Sequence, residues 1–192
     1  SSIREGSVPA IVVDDQVERM SRIVEHQLRR AARSGAAGVG TASTPVLPVV
    51  QDLRATMLKV HREKDFALHL AVPAEAQFAG DRDDLLEALG NLMDNAAKWC
   101  RGQVRVSATV AEAGPVEQRL HLVVEDDGPG IAARDRQMVR ERGARVDEQV
   151  PGHGLGLSMV GEMVDLYGGR LLIDDSPLGG ARVELQLPGR LR

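Results

Sequence analysis

Apolar residues near the start of the chain recur with a helical period. Between Val13 and Ala31 the steps alternate between four and three residues, which is the 3.5-residue period of a coiled-coil seam. The register consists of Val13, Val17, Met20, Val24, Gln27 and Ala31, and Asp14 or Asp15 could cap the helix. One short helix cannot bury this stripe alone, so the pattern predicts a partner helix. A helix packed on its own domain is the alternative.

A second unit follows a change in pattern. Residues 34–45 are small, glycine-rich and turn-forming, which predicts a linker between residues 1–33 and a domain at 46–192. In that domain the apolar pattern predicts helices at about Leu47–Lys64, Asp81–Trp99 and Gly154–Tyr167. Strands are predicted at Phe66–Val72, Gln77–Gly80, Val104–Val110, Leu120–Asp126, Arg170–Asp174 and Ala181–Leu187. This mixture predicts an α+β fold of two layers.

One long segment of the domain has little apolar periodicity. Residues 133–150 are rich in charge, which predicts a long mobile loop or lid over a site. An ordinary solvated loop is the alternative interpretation.

Composition narrows the class of protein. The 192 residues are 43% hydrophobic, enough for a core. The formal charge of −4 and the 2% aromatic content argue against a nucleic acid partner, which would need basic and stacking side chains. The single cysteine, Cys100, excludes an intramolecular disulfide and indicates a cytosolic setting. No secretory signal or membrane-spanning run is present, so we expect no membrane contact by this chain and place any parent's anchor elsewhere.

The helix predicted at 81–99 carries a polar stripe. Asn91 and Asn95 are four residues apart and Lys98 lies three further on, so the three side chains share one face. Two amide oxygens and an ammonium suit a magnesium ion and a phosphate chain, because Mg²⁺ shares oxygen ligands with phosphates. A solvated helix face is the alternative for this motif alone.

The stretch VVEDDGPGIA places carboxylates at a strand end. Asp126, Gly128 and Gly130 have a DxGxG spacing. Such a carboxylate can accept a hydrogen bond from an exocyclic amine, and the glycines let backbone approach a flat ring. A tight turn is the alternative for this motif alone.

The stretch GHGLGL, residues 152–157, leads into the last predicted helix. Glycines at alternate positions before a helix N-terminus expose backbone N–H groups to phosphate oxygens. Taken alone, this turn is weak evidence for a ligand.

The three motifs in this order resemble the N, G1 and G2 motifs of the GHKL ATP-binding fold, specifically the catalytic domain of bacterial sensor histidine kinases. The resemblance covers about Pro45 to Pro188. The segments RGARVDEQVPGHGLGL and LGGARVEL further resemble the PhoQ branch of these kinases. The resemblance implies the two-layer Bergerat sandwich, with a mixed sheet and three helices. This domain would be preceded by the second helix of a dimerisation hairpin.

The resemblance also implies roles for individual residues, with ATP and Mg²⁺ as ligands. Asn91 and Asn95 would bind Mg²⁺ and the phosphates, Lys98 would contact phosphate, and Trp99 would lie near adenine. Asp126 would accept the adenine amine beside Gly128 and Gly130, with Asp127 a solvated neighbour. The lid would contribute Arg142, Arg145, Gly152, His153, Gly154, Leu155 and Gly156, and Arg145 joins Asn95 and Lys98 as a catalytic candidate. For His153, a solvent-facing position on the lid is the alternative to a contact with phosphate or metal.

This family transfers the γ-phosphate to a histidine on a helical hairpin, for relay to a response regulator receiver domain, and its parent proteins are homodimeric inner-membrane sensors. Hydrolytic GHKL members place a glutamate four residues before the metal-binding asparagine. Here that position is Asn91, which cannot deprotonate water, so slow hydrolysis is expected.

The acceptor histidine is the main departure from the family pattern. HQLRRA, residues 26–31, shares a histidine, leucine and arginine with the acceptor motif but has Gln27 and Ala31 where the motif has an acid and a proline. This favours His26 on the second hairpin helix, and the chain then resembles a kinase domain without its acceptor.

Other nucleotide-binding classes remain as rivals or are excluded. The P-loop pattern and the eukaryotic kinase motifs are absent. Another GHKL member, such as a serine kinase or a chaperone or topoisomerase ATPase, is disfavoured by Asn91 and the heptad helix. A nucleotide-sensing module without catalytic output stays an alternative. His61, His69 and His121 show no ligand-like spacing, and Cys100 has no visible acid–base partner.

Overall fold

The computed structural model describes residues 43–112, 118–136 and 156–192. All of them belong to the unit Val39–Arg192, which the chain's contacts separate from Ser1–Gly38. The predicted N-terminal helix with His26, most of the predicted linker and most of the charged segment lie outside the described residues.

The described helices are α1 (Val46–Val60), α2 (Arg82–Trp99) and α3 (Gly156–Leu166). Asp81 caps α2, because its Oδ1 accepts a hydrogen bond of 2.8 Å from the N–H of Asp83. Asp83 and Asp84 in the first turn and Lys98 in the last turn suit the helix dipole. These features place the start of α2 where the sequence predicts it.

The described strands form one mixed sheet. They are β1 (Thr44–Pro45), β2 (Ala67–Ala71), β3 (Ala76–Phe78), β4 (Gln103–Glu112), β5 (Gln118–Asp126), β6 (Arg170–Asp175) and β7 (Ala181–Leu191). The order is β1-β3-β7-β5-β4-β2, with β6 paired to β7. β2 and β4 are parallel and the other pairs are antiparallel.

The core lies between the helices and one face of the sheet. Alternate strand residues such as Val106, Leu122 and Leu185 are buried with Leu89 and Met93 of α2. Each large apolar side chain buried in this way contributes about 1.5–3 kcal/mol. The predicted two-layer α+β sandwich with three helices and a mixed sheet is confirmed.

The other face of the sheet carries a charged network across β4, β5 and β7. Glu125 is buried and its Oε2 accepts a hydrogen bond of 2.8 Å from Arg105 Nε. Glu184 binds His121 Nδ1 at 2.8 Å and Arg182 Nη2 at 2.7 Å. The alternation of strand side chains puts these groups opposite the apolar layer, and the network satisfies the buried carboxylates there.

Several element boundaries differ from the sequence prediction by a few residues, and two of these differences change local contacts. The linker was predicted to reach Pro45, but Thr44–Pro45 pairs with β3, and the Thr44 hydroxyl donates a hydrogen bond of 2.7 Å to the Gly80 carbonyl. Helix α1 ends at Val60 instead of Lys64, and the N–H of Lys64 bonds the carbonyl of His61 in a turn. This turn directs the Lys64 side chain towards the end of α2.

Candidate functional site

The predicted polar stripe lies on α2. Asn91 Nδ2 donates a hydrogen bond of 2.9 Å to the carbonyl of Glu87, one turn earlier. This bond fixes the amide and leaves its Oδ1 as the free acceptor. The amide of Asn95 has no hydrogen-bond partner among the described residues, and neither side chain is fully buried. Both oxygens are therefore available to a ligand.

Gly156, at the start of α3, lies against this stripe. A Cβ at position 156 would lie 3.3 Å from Asn95 Nδ2 and 3.6 Å from Asn91 Oδ1. The absence of a side chain lets the helix backbone approach the two amides. The described end of the third motif and the first motif thus meet in space, as the resemblance implies.

Lys98 lies on the same face of α2 but is paired in this structure. Its ammonium forms an ion pair with Asp94, one turn earlier. The second oxygen of Asp94 lies 2.9 Å from Nε2 of His61. Sequence reasoning treated His61 as an ordinary residue, and no spacing signal joins positions 61 and 94.

Asp126 ends β5 in a buried turn. Its Oδ1 accepts hydrogen bonds from the N–H groups of Gly128 at 2.8 Å and Ala181 at 3.2 Å. Burial raises the pKa of this carboxyl, and the two N–H donors partly offset that effect. Oδ2 accepts no hydrogen bond from the described residues and is not sealed from solvent. The turn therefore presents one free carboxylate oxygen.

Glycines let three segments converge around Asp126. A Cβ on Gly128 would overlap the carbonyl of Trp99, and one on Gly180 would overlap the Asp126 carboxylate. Gly130 has φ +74, a conformation that favours glycine. The roles of Gly180 and Ala181 were missed, although the GG doublet before β7 was an available signal.

Asp127 is partly exposed, and its carboxylate also anchors a neighbouring turn. Its Oδ1 accepts hydrogen bonds from the N–H groups of Arg101 at 2.7 Å and Gly102 at 3.1 Å. Burial opposes ionisation, but the backbone donors outweigh it and lower the pKa of the carboxyl. Asp127 thereby holds the turn between α2 and β4, a role that its position in the motif did not reveal.

The end of α2 forms one border of the Asp126 turn. Trp99 is 38% exposed, while Cys100 is buried and its Sγ lies 3.4 Å from the carbonyl of Ala97. Burial raises the pKa of the Cys100 thiol, which agrees with the lack of a predicted nucleophilic role. Lys64 Nζ donates to the carbonyls of Ala97 at 2.8 Å and Lys98 at 2.7 Å, and so caps the helix.

Most of the residues predicted for the lid fall within 137–155. Arg142, Arg145, Gly152, His153, Gly154 and Leu155 lie outside the described residues.

Within residues 43–112, 118–136 and 156–192, no group of three His, Cys, Asp or Glu side chains could hold a metal ion. None of the described helices is long and apolar enough to cross a membrane.

The sequence itself matches a family model over residues 80–191, from the end of β3 through β7. That model describes the histidine kinase-, DNA gyrase B- and HSP90-like ATPases. The chain belongs to this ATPase family. The match includes all three motifs of the site, and it makes the chain an ATP-binding domain of the GHKL type.

Two relatives of this ATPase domain are sensor kinases. The chain is 36% identical over 174 residues to the sensor protein PhoQ of Escherichia coli, covering 91% of this chain and 35% of PhoQ. It is 41% identical over 179 residues to the sensor protein kinase CarS of Pseudomonas aeruginosa, covering 92% of this chain and 38% of CarS. The chain therefore spans just over a third of these relatives.

Solved structures agree with the ATPase domain's fold. The mycobacterial sensor histidine kinase MprB superposes with a TM-score of 0.65 at 30% identity, covering 79% of this chain and 99% of MprB. The ATP-binding domain of PrrB from Mycobacterium tuberculosis superposes with a TM-score of 0.61 at 27% identity, covering 78% and 97%. The fold is that of a histidine kinase ATP-binding catalytic domain.

Proposed function

We propose that the domain binds Mg-ATP and transfers the γ-phosphate to a histidine that does not belong to this chain. The observation that carries this proposal is the convergence on α2. The amide stripe of Asn91 and Asn95 meets Gly156, and the C-terminal end of the same helix borders the Asp126 turn. One helix thus joins a phosphate-type site to an adenine-type site.

The free oxygen of Asp126 supports adenine recognition. Oδ1 is committed to two backbone N–H groups, so the carboxylate is oriented before a ligand arrives. Oδ2 can then accept a hydrogen bond from the exocyclic amine of adenine, whereas guanine presents a carbonyl at the corresponding position. Gly128 and Gly130 keep the neighbouring backbone clear of side chains, and Trp99 is the aromatic neighbour.

The amide stripe fits a magnesium ion that shares ligands with phosphates. Mg²⁺ prefers oxygen ligands and usually keeps waters and substrate phosphate oxygens in its shell. Asn91 and Asn95 would supply the protein oxygens, and Lys98, Arg142 and Arg145 would contact phosphates. When bound, the ion neutralises charge on the transferring phosphoryl group. Backbone at Gly152, His153, Gly154, Leu155 and Gly156 would enclose the phosphates.

In phosphoryl transfer the protein mainly positions the reacting groups and offsets the charge of the phosphoryl group. A histidine nitrogen forms a bond to the γ-phosphorus, the bond from that phosphorus to the β,γ-bridging oxygen breaks, and ADP leaves. Asn91 lies at the position where a hydrolytic relative has its catalytic base. Its side-chain amide donates a hydrogen bond to the backbone carbonyl of Glu87. Water is not activated there, so the phosphoryl group is kept for the histidine.

The names of the relatives support a wider setting. PhoQ and CarS are sensor proteins, so we propose that the parent is a homodimeric inner-membrane sensor with this domain in the cytoplasm. The acceptor histidine would lie on a helical hairpin, and a response regulator receiver domain would receive the phosphoryl group. The hairpin assignment of residues 1–33 and the linker at 34–45 belong to this proposal.

Phosphate transfer to a supplied acceptor tests the proposal. The domain is incubated with Mg²⁺ and γ-labelled ATP together with a dimerisation-hairpin fragment containing an acceptor histidine. Acid-labile label on the fragment is the expected result, and an acceptor His→Gln fragment is the control. Fluorescence of Trp99, the single tryptophan, reports nucleotide binding in parallel. Adenine-selective binding without transfer would instead support a nucleotide-sensing module.

A further inference from the structure

A polar chain from α1 to α2 includes two residues, His61 and Asp94, that are not among the proposed nucleotide contacts. His61 Nε2 lies 2.9 Å from one oxygen of Asp94, and the Lys98 ammonium pairs with the other oxygen. One carboxylate thus joins a histidine that follows α1 to the lysine assigned to phosphate.

His61 is a rigid starting point for this chain. Its N–H bonds the carbonyl of Met57 and caps α1. Its ring packs edge-on against Phe66, with centroids 6.4 Å apart and an interplanar angle of 80°. The side chain is only 16% exposed, compared with 36% for Lys98. The histidine can therefore restrain a more exposed partner.

Asp94 lies at the edge of the ligand-facing stripe. At 3.6 residues per turn, positions 91 and 98 fall on one line, with 94 on one side and 95 on the other. Asp94 can therefore hold Lys98 without occupying the space between the two amides and Gly156. Of the three donors on the Lys98 ammonium, one serves the carboxylate and two remain for phosphate oxygens.

We propose that His61 and Asp94 are positioning residues that hold the Lys98 ammonium ready for nucleotide phosphates. This inference rests on the proposed function, because it requires Lys98 to contact phosphate. A free lysine side chain loses rotamer freedom when it is fixed, and ordering it in advance is equivalent to roughly a threefold to tenfold gain in affinity. The gain applies only to ligands that carry phosphates.

A matched set of variants separates positioning from a merely structural link between α1 and α2. His61→Phe keeps an aromatic ring beside Phe66 but removes the hydrogen bond to Asp94. His61→Gln restores a donor. His69→Phe on β2 is the control, because His69 is exposed and has no polar contact within the described part of the chain. Calorimetry compares Mg-ATP with adenosine, which lacks phosphates.

We expect His61→Phe to weaken Mg-ATP binding roughly threefold to tenfold and to change adenosine binding less than about twofold. His61→Gln should recover part of the loss, and His69→Phe should bind both ligands as the wild type does. In a Lys98→Met background, His61→Phe should cause little further loss, because the two changes act through one ammonium.

Equal losses for Mg-ATP and adenosine would overturn the inference, as would losses that add fully to that of Lys98→Met. If the wild type and His69→Phe bind Mg-ATP but His61→Phe has no phosphate-selective effect, only the positioning role fails. If the wild type binds no nucleotide, the proposed function fails and the inference fails with it.

Discussion

Asp126 and Asp127 are neighbours in the chain whose carboxylates serve different backbone groups. Asp126 binds the N–H groups of Gly128 and Ala181, and Asp127 binds those of Arg101 and Gly102. We expect Asp126→Asn to weaken ATP binding by roughly tenfold or more, because an amide NH₂ would replace the oxygen that accepts the adenine amine. Calorimetric titration with Mg-ATP measures the change.

Asp127→Asn is the matched control at the adjacent position. An asparagine oxygen can still accept from the N–H groups of Arg101 and Gly102, so ATP affinity should stay within about threefold while the thermal midpoint falls slightly. Equal losses of affinity in the two variants would refute the adenine assignment.

The caps and close contacts of the helices give predictions at the level of elements. Lys64 Nζ bonds the carbonyls of Ala97 and Lys98 at the end of α2. Lys64→Met keeps most of the side-chain volume but leaves these carbonyls without their charged donor, so we expect a loss of about 1–2 kcal/mol. Urea unfolding measures this loss, and an unchanged midpoint would show that the cap contributes nothing.

Gly161 and Gly180 should respond oppositely to the same added methyl group. In α3, a Cβ on Gly161 would have Leu171 as its nearest contact at 3.9 Å, and alanine favours a helix by about 0.5–1 kcal/mol over glycine. Gly161→Ala should therefore raise the unfolding midpoint. Gly180→Ala should lower it, because the new Cβ would overlap the Asp126 carboxylate. Two shifts in the same direction would contradict this interpretation.

The sequence predicts elements better than contacts between them. Apolar periodicity locates the three helices and most strands, since burial on one face imposes that period. The two-residue strand Thr44–Pro45 is too short to show an apolar period, so the sequence pattern assigns it to the linker. The bond between His61 and Asp94 joins residues 33 positions apart, and only the packing of α1 against α2 creates it. Motif spacing could place Asp126 but not its anchor at Ala181.

The charged face of the sheet makes the stability of the whole domain depend on pH. Burial opposes ionisation of Glu184, but hydrogen bonds from Gln186, His121 and Arg182 outweigh it and lower its pKa from 4.5 to about 2. Because the pKa is lower in the folded state, the stabilisation is complete above pH 4.5 and is lost as the pH falls towards 2. Acid should therefore weaken the fold through this group.

Glu184→Gln tests that dependence. At pH 7 we expect the variant to unfold more easily by roughly 1–3 kcal/mol, since the neutral amide cannot form an ion pair with Arg182. The difference from the wild type should shrink as the pH falls from 4.5 towards 2. Denaturant unfolding at several pH values measures it, and a difference that stays constant would show that Glu184 does not titrate as described.

Strand β7 has a consequence for how the domain is made. It lies between β5 and β6, and its last residues also pair with β3, yet it is the last described element in the chain. During synthesis the other strands leave the ribosome first, and β5 keeps an open edge until its pairing partners, Arg182 to Pro188, emerge. Unpaired edges attract other chains. We therefore expect the nascent domain to be most prone to aggregation before its central strand is complete.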